Sequence, residues 1–292
     1  MEVLSASQAG RSHLTNARVN QDSAAVWDLS GGAPGFGGAA AMVPMHPDVE
    51  KYLVAAPGGS GIVLAVADGH GSASYDKSHI GSAYAVALAL VQCSRLLPKL
   101  DGEGLSTSWC ETELPRRLSQ QWRRMVLRTK SAEDHSDEPT YISRFGTTLA
   151  AALIGRRGLL LFHIGDGEIV VITRDMTVHR PVLERTMMLG NEVESLSHED
   201  ADGKFRVSLL PIPAADIRMV MMASDGVTNS FVDEHGLTEF AMQTLDSSSR
   251  VRPGGPTLSS VLHRAIARCS SYTGDDVSVA IAINRDQEII NG

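Results

Sequence analysis

Several short segments place a carboxylate beside glycine at the edge of an apolar run. Asp68 follows Ile62 to Ala67 in A-D-G-H-G-S, and Asp166 sits in I-G-D-G-E between two apolar runs. Asp225 follows Met219 to Ala223 in A-S-D-G-V, and Asp275 and Asp276 precede Val277 to Ile283 in T-G-D-D-V-S-V. Strand ends are rigid platforms, so carboxylates projecting from several of them can converge on one point. An all-oxygen cluster of this kind suits Mg²⁺ or Mn²⁺ rather than zinc. Each segment alone has a simpler reading, because Asp-Gly is a common turn in which Gly takes positive φ and Asp tolerates it. Asp166, flanked by two runs only a few residues apart, is expected to be a hairpin turn before a metal ligand. Taken together, the segments point to metal.

The elements that must position these residues are apolar, β-branched runs. Ile62 to Ala67, Thr147 to Ile154, Leu159 to Ile164, Glu168 to Thr173, Arg218 to Ala223 and Val277 to Ile283 each predict a buried strand. Helical patterns run from about Lys77 to Leu97, Cys110 to Thr129, Glu234 to Leu245 and Leu258 to Tyr272. Helices are grouped rather than alternating strictly with strands, which predicts an α+β layered fold over a parallel doubly wound sheet. The Gly-, Ala- and Pro-rich stretches Gly31 to Ala41 and Pro57 to Gly61 are expected as surface excursions. Ser131 to Pro139 and Arg185 to Lys204 lack periodicity and are expected as mobile loops. With no repeat and no composition shift, residues 1–292 read as one domain.

Composition narrows the function classes. Hydrophobic residues make up 43% of the 292 positions and charged residues 21%, as in an ordinary folded domain. A net charge of -8 argues against a nucleic-acid partner, and the basic pairs Arg116/Arg117 and Arg123/Arg124 read as the solvated face of a helix. Three cysteines, widely spaced and without C-x-x-C, indicate neither a disulfide framework nor a zinc site. Reduced thiols and a cytoplasmic location are expected. Met1 to Gly10 lacks a signal-peptide pattern, no apolar run approaches the ~20 residues of a membrane span, and Tyr84 to Val91 reads as a buried helix face. No membrane partner is expected.

The ordered set N-Q-D (Asn20 to Asp22), A-D-G-H-G (Ala67 to Gly71), F-G-T-T-L (Phe145 to Leu149), I-G-D-G (Ile164 to Gly167), S-D-G-V (Ser224 to Val227) and G-D-D-V-S-V (Gly274 to Val279) resembles the metal-dependent protein phosphatase family, of the protein phosphatase 2C type. Each motif is weak alone, but six in the family's order span nearly the whole chain. The resemblance implies a four-layer αββα sandwich, two central antiparallel β-sheets flanked by helices. It implies two divalent cations, Mn²⁺ or Mg²⁺, at one end of the sandwich. Asp68 matches the bridging carboxylate, Gly69 the residue offering a backbone carbonyl, Asp225 and Asp275 the ligands of the other ion, and Asp22 the acidic residue in or behind them. The implied reaction is hydrolysis of phosphoserine and phosphothreonine in proteins, opposing a Ser/Thr kinase, by a metal-activated water. The alternative is a non-catalytic phosphoprotein-binding or scaffold module of the same fold.

The chain departs from the common family pattern at its amino terminus. Where many members carry a phosphate-clamping Arg, this chain has Ala17 with Arg18 beside it and Arg11 and His13 upstream. G-R-S-H before N-Q-D, G-D-G, and the N-E-V run from Asn191 resemble a bacterial branch of the family. His13 is therefore expected as phosphate contact or general acid, against a structural histidine, with Arg11 and Arg18 as substitutes. Gln21 stands where an acidic residue is common. The resemblance to that branch also implies a third metal held before G-T-T, for which Glu133, Asp134 or Asp137 are the candidates, although a solvated acidic loop is the better reading. His70 is expected to line the site, Thr147 and Thr148 to hydrogen-bond beneath the metals, and residues 185–204 to form a variable flap.

Overall fold

Strands buried on both faces carry unbroken apolar runs rather than an alternating pattern, and here helices cover the outside of two stacked sheets. The computed structural model describes residues 1–11, 13, 19–54, 59–102, 104–181, 193–233, 235–250 and 255–284. The strands are β1 (Glu2–Gln8), β2 (Ser23–Asp28), β3 (Gly35–Gly38), β4 (Ile62–Ala67), β5 (Leu149–Ile154), β6 (Leu159–Ile164), β7 (Glu168–Thr173), β8 (Val178–His179), β9 (Arg206–Leu210), β10 (Ile217–Ala223) and β11 (Val277–Ile283). One sheet has the order β1-β11-β10-β7-β8 and the other β3-β2-β4-β5-β6-β9, with antiparallel pairing throughout.

The helices are α1 (Pro47–Val54), α2 (Ser78–Asp101), α3 (Thr107–Leu127), α4 (Glu138–Ser143), α5 (Asp225–Thr228), α6 (His235–Ser249) and α7 (Leu258–Thr273). Three apolar layers follow from this stacking. One lies between the sheets, with Leu64, Val66, Val220, Met222 and Ala282. A second joins α2 and α3 to the six-stranded sheet, and a third joins α6 and α7 to the five-stranded sheet. The result is the α+β layered fold that the element pattern predicts, in the αββα form that the family resemblance implies.

Three expectations need correction. Gly31 to Ala41 is not all surface excursion: it supplies β3 and a turn of 3₁₀ helix whose Ala39 and Ala40 are buried. Ser131 to Pro139 is partly ordered, because Asp137 caps α4 by accepting from the Thr140 N–H at 2.9 Å. Finally, α2 is long and apolar enough to cross a membrane by length and composition, but most of that stretch is buried inside the fold. Tyr84 to Val91 lies within it, buried as expected.

Glycine sets how closely α2 docks. A Cβ on Gly81 would stand 1.9 Å from the Phe145 carbonyl oxygen, and the Gly81 carbonyl accepts from Trp122 Nε1 at 2.9 Å. Gly81→Ala must push α2 away from the segment that carries Gly146, Thr147 and Thr148. Overpacking of this kind is expected to cost about 3 kcal/mol, read as a lower urea midpoint. An unchanged midpoint would mean that α2 does not bear on Phe145.

Candidate metal centre

Strand parity explains why the carboxylates meet. Side chains alternate between faces, and in β4 Ile62, Leu64 and Val66 face the inter-sheet layer while Val63, Ala65 and Ala67 face the helices. The next position with inter-sheet parity is Asp68. In β2, Ala24 and Val26 face the same layer, and the parity carried backwards reaches Asp22. Ser23 pairs with Ala67, so Asp22 and Asp68 stand side by side just past paired strand ends. In the facing sheet Ala223 pairs with both Val279 and Glu168, which brings Asp225, Asp275 and Asp166 to the same edge.

An open cleft of about 310 Å³ lies there, lined by Asp68, Gly69, His70, Asp166, Asp225 and Asp275, with Tyr75, Thr148 and Val193 around them. Asp22 is fully buried behind it. Neither Asp22 oxygen makes a hydrogen bond of proper geometry, and the same holds for Asp225 Oδ1 and Gln21 Oε1. Burial, then the charges of Asp276, Asp225 and Asp275, pushes the Asp22 carboxyl well above the usual range, with the nearby Ser224 hydroxyl offsetting part of this. Asp68 is raised by burial, by Asp22 and by Asp225, whose carboxyl is within hydrogen-bonding reach. Asp275, although at the exposed rim, is raised by partial desolvation and by Asp225.

Buried acceptors without donors, crowded with like charges, are what a cation would relieve. Among the described residues no three Asp, Glu, His or Cys side chains already cage a single ion. The set instead fits hard cations that take one or two carboxylates each and complete their shells with water, the habit of Mg²⁺ and Mn²⁺.

The surrounding backbone holds these groups in place. Thr148 Oγ1 accepts from the Asp68 N–H at 3.0 Å, while the Thr148 N–H and Thr147 Oγ1 donate to the Asp68 carbonyl at 2.9 and 2.8 Å. These are the supporting hydrogen bonds expected of the two threonines. A Cβ on Gly69 would meet the Gln21 carbonyl at 2.6 Å, so the strand ends close up only with glycine there. Asn229, the C-cap of α5, donates to Asp225 Oδ2 at 3.0 Å. His70 lines the cleft as expected, packed edge-on to Tyr75 with ring centroids 4.9 Å apart. Burial, reinforced by the charge of His198, holds its imidazole down at about 4.

Other expected site residues fall elsewhere. His13 is buried, and its Nδ1 lies 2.9 Å from Asp276 Oδ2. The same carboxylate accepts from the Gly10 and Gln21 N–H groups at 2.7 and 2.6 Å. His13 thus joins a clasp around Asp276, as the structural alternative for this histidine expects, and is not among the residues that line the cleft. Asp166 is not in a hairpin: β6 and β7 belong to different sheets, and the chain crosses between them at Gly165 with φ 100°. Asp134 is held by Arg144 at 3.0 Å and by Ser136 at 2.5 Å, away from the cleft, and is lowered chiefly by the Ser136 hydrogen bond. That makes it a poor third-metal ligand.

Arg11 is exposed, and Arg18 lies outside the described residues. Among the described residues lining the cleft none is Lys or Arg. Residues 185–192 of the expected flap also lie outside the described residues. Its remainder is anchored rather than loose, with the Leu196 N–H donating to the Thr147 carbonyl at 2.9 Å and Val193 at the cleft. The clasp role of Asp276 escaped sequence reasoning. The signal available was the doubled Asp, since neighbours on one backbone cannot both face the cleft.

A family model described as protein phosphatase 2C matches residues 51–264. No curated protein matches the chain in sequence. Solved structures do match in fold. A bacterial serine phosphatase has a TM-score of 0.57 at 12% identity, covering 98% of each chain. Serine/threonine phosphatase Stp1 from Staphylococcus aureus has 0.55 at 11%, covering 98% of this chain and 95% of that one. The catalytic domain of serine/threonine protein phosphatase PstP, solved in complex with two manganese ions, has 0.51 at 19%, covering 97% of each.

Proposed function

The chain belongs to the protein phosphatase 2C family, and from that premise we propose that it is a metal-dependent phosphoprotein phosphatase acting on phosphoserine and phosphothreonine. Asp68, Asp225, Asp275 and Asp22, with the Gly69 carbonyl, would hold two cations. When bound, Mn²⁺ or Mg²⁺ would acidify a water and draw off charge from the phosphoryl oxygens. The chain's own residues do the rest: Thr147 and Thr148 fix the Asp68 backbone, Asn229 orients Asp225, and the Asp276 clasp fixes Gln21 beside Asp22. His70, neutral at ordinary pH, offers a hydrogen bond inside the cleft. The open cleft suits a phosphorylated side chain on a protein surface. A cytoplasmic location and an opposing Ser/Thr kinase belong to this reading, and the three cysteines, all buried free thiols, agree with a reducing compartment.

The observation that carries the proposal is the set of orphaned buried oxygens on Asp22 and Asp225. A scaffold module of the same fold would have no use for uncompensated charge, which costs stability unless a cation arrives. The test is hydrolysis of a chromogenic aryl phosphate, then of phosphoserine and phosphothreonine peptides, with Mn²⁺ and with EDTA. Turnover is expected with Mn²⁺, and loss to background with EDTA or in Asp68→Asn/Asp225→Asn. Parent protein no faster than that double variant would favour the non-catalytic module.

A further inference from the structure

A second cavity, of about 300 Å³, opens between α1, α2 and α3 and shares no lining residue with the metal cleft. Its floor is aliphatic: Val49 of α1, Leu88 and Val91 of α2, and Met125 of α3, all buried. Its rim is cationic: Lys51, Arg95, Arg124 and Arg128, all exposed. Helix geometry builds the pattern. Leu88, Val91 and Arg95 share one face of α2, and Gln121, Arg124, Met125 and Arg128 share one face along α3 and its C-cap.

We propose that this cavity binds a small organic phosphate with an apolar body. Among the described residues, four cations and no carboxylate line it, in a chain whose net charge is -8. Lys51 and Arg124 form no ion pair with any described residue. Arg95 and Arg128 have interactions of their own, so the proposal counts on the first two. The wall offers donors: Gln121 Oε1 already accepts from Gln92 Nε2 at 2.7 Å, which leaves its amide N–H₂ to give. A ligand atom at the rim must therefore be an acceptor, and a doubly charged phosphate oxygen cluster satisfies several cations at once. The positive field is felt nearby, since burial and then the charge of Arg128 lower His46. The aliphatic floor sets the second requirement, because a bare anion would leave it uncovered while a ring or short chain would fill it.

The site stands independently of the phosphatase reading. Phenylphosphonate is the probe, since its P–C bond resists phosphatase action, and titration calorimetry in EDTA keeps the metal cleft out of the measurement. Saturable one-to-one binding is expected, about tenfold weaker in Arg124→Glu and in Lys51→Glu, and unchanged in Asp68→Asn/Asp225→Asn. Both charge reversals are on exposed positions, and unchanged circular dichroism separates lost binding from lost fold. Inorganic phosphate and benzyl alcohol are each expected to bind at least about tenfold more weakly than the probe. No binding, binding lost only in the cleft variant, or equal binding of inorganic phosphate would overturn the proposal.

Discussion

Asp22→Asn is expected to raise the unfolding temperature of the metal-free protein by about 3 °C and to erase most of the further rise that Mn²⁺ gives the parent. The side chain is fully buried, neither oxygen has a proper donor, and Asp276, Asp225 and Asp275 repel it. Neutralising such a carboxylate recovers roughly 1 kcal/mol of its desolvation penalty, and an Asn N–H₂ can donate to the neighbouring carboxylates. The pH dependence has a definite sign. A carboxyl raised by folding favours the native state below its unfolded value, near 4, and that contribution is lost as pH rises through the raised value. The variant's advantage is therefore largest at neutral pH and vanishes toward pH 4. In Mn²⁺ the order reverses, because a cation held at about 100 times its dissociation constant adds roughly 2.7 kcal/mol to the parent. Scanning fluorimetry in EDTA and in excess Mn²⁺ reads both arms. A lower metal-free midpoint together with an undiminished Mn²⁺ response would show that Asp22 serves the fold rather than a cation.

The sequence is most legible where strands are covered on both sides. β4, β5, β6, β7, β10 and β11 announce themselves as unbroken apolar runs. β1 and β3 do not: Glu2–Gln8 is half-buried and polar in part, and Gly35–Gly38 has almost no side chain to pattern. β3 exists because it pairs with β2, from Ser23 against Gly38 to Val26 against Gly35. Its glycines reach the site itself. Gly38 has φ 65°, a Cβ there would stand 2.2 Å from the Asp22 carbonyl, and the Ala39 N–H donates to that carbonyl at 2.7 Å. A stretch that reads as surface filler thus wraps the backbone of a site carboxylate.

The carboxylates were legible for a related reason, since strand-end residues inherit the parity and register of the strands. What spacing cannot give is which sheet a strand joins. The gap between β6 and β7 would suit a hairpin, yet the two runs pair with different partners, and this turns Asp166 from a turn residue into a cleft residue. His13 has the opposite history. A histidine near the motif could face either way, and here it is one of three hydrogen-bonding partners gathered by Asp276.

Acidification is expected to destabilise the protein most through His163 among the histidines outside the site, since its imidazole is lowered the furthest of these. It sits on β6 opposite Ala150, in register with the inter-sheet layer, 4% exposed, and neither ring nitrogen has a partner. Burial, with the charge of Arg206 on the neighbouring strand, lowers its imidazole to about 4. The unfolded chain therefore takes up the proton first, near pH 6.5. The resulting stability is complete above about 6.5 and is lost as pH falls toward 4, by roughly 2 kcal/mol at pH 5 and on the order of 3 kcal/mol at the end of the window. His163→Leu removes the titration and also two unsatisfied polar atoms, each worth about 1 kcal/mol or more when buried. The variant should match or exceed the parent at pH 7.5 and gain on it steadily down to pH 5, in urea unfolding with EDTA present. Taking the difference between the two proteins cancels the carboxylates, whose trend in the metal-free state runs the other way. Parallel stability curves would mean that water reaches the ring and that the layer between the sheets is open at this edge.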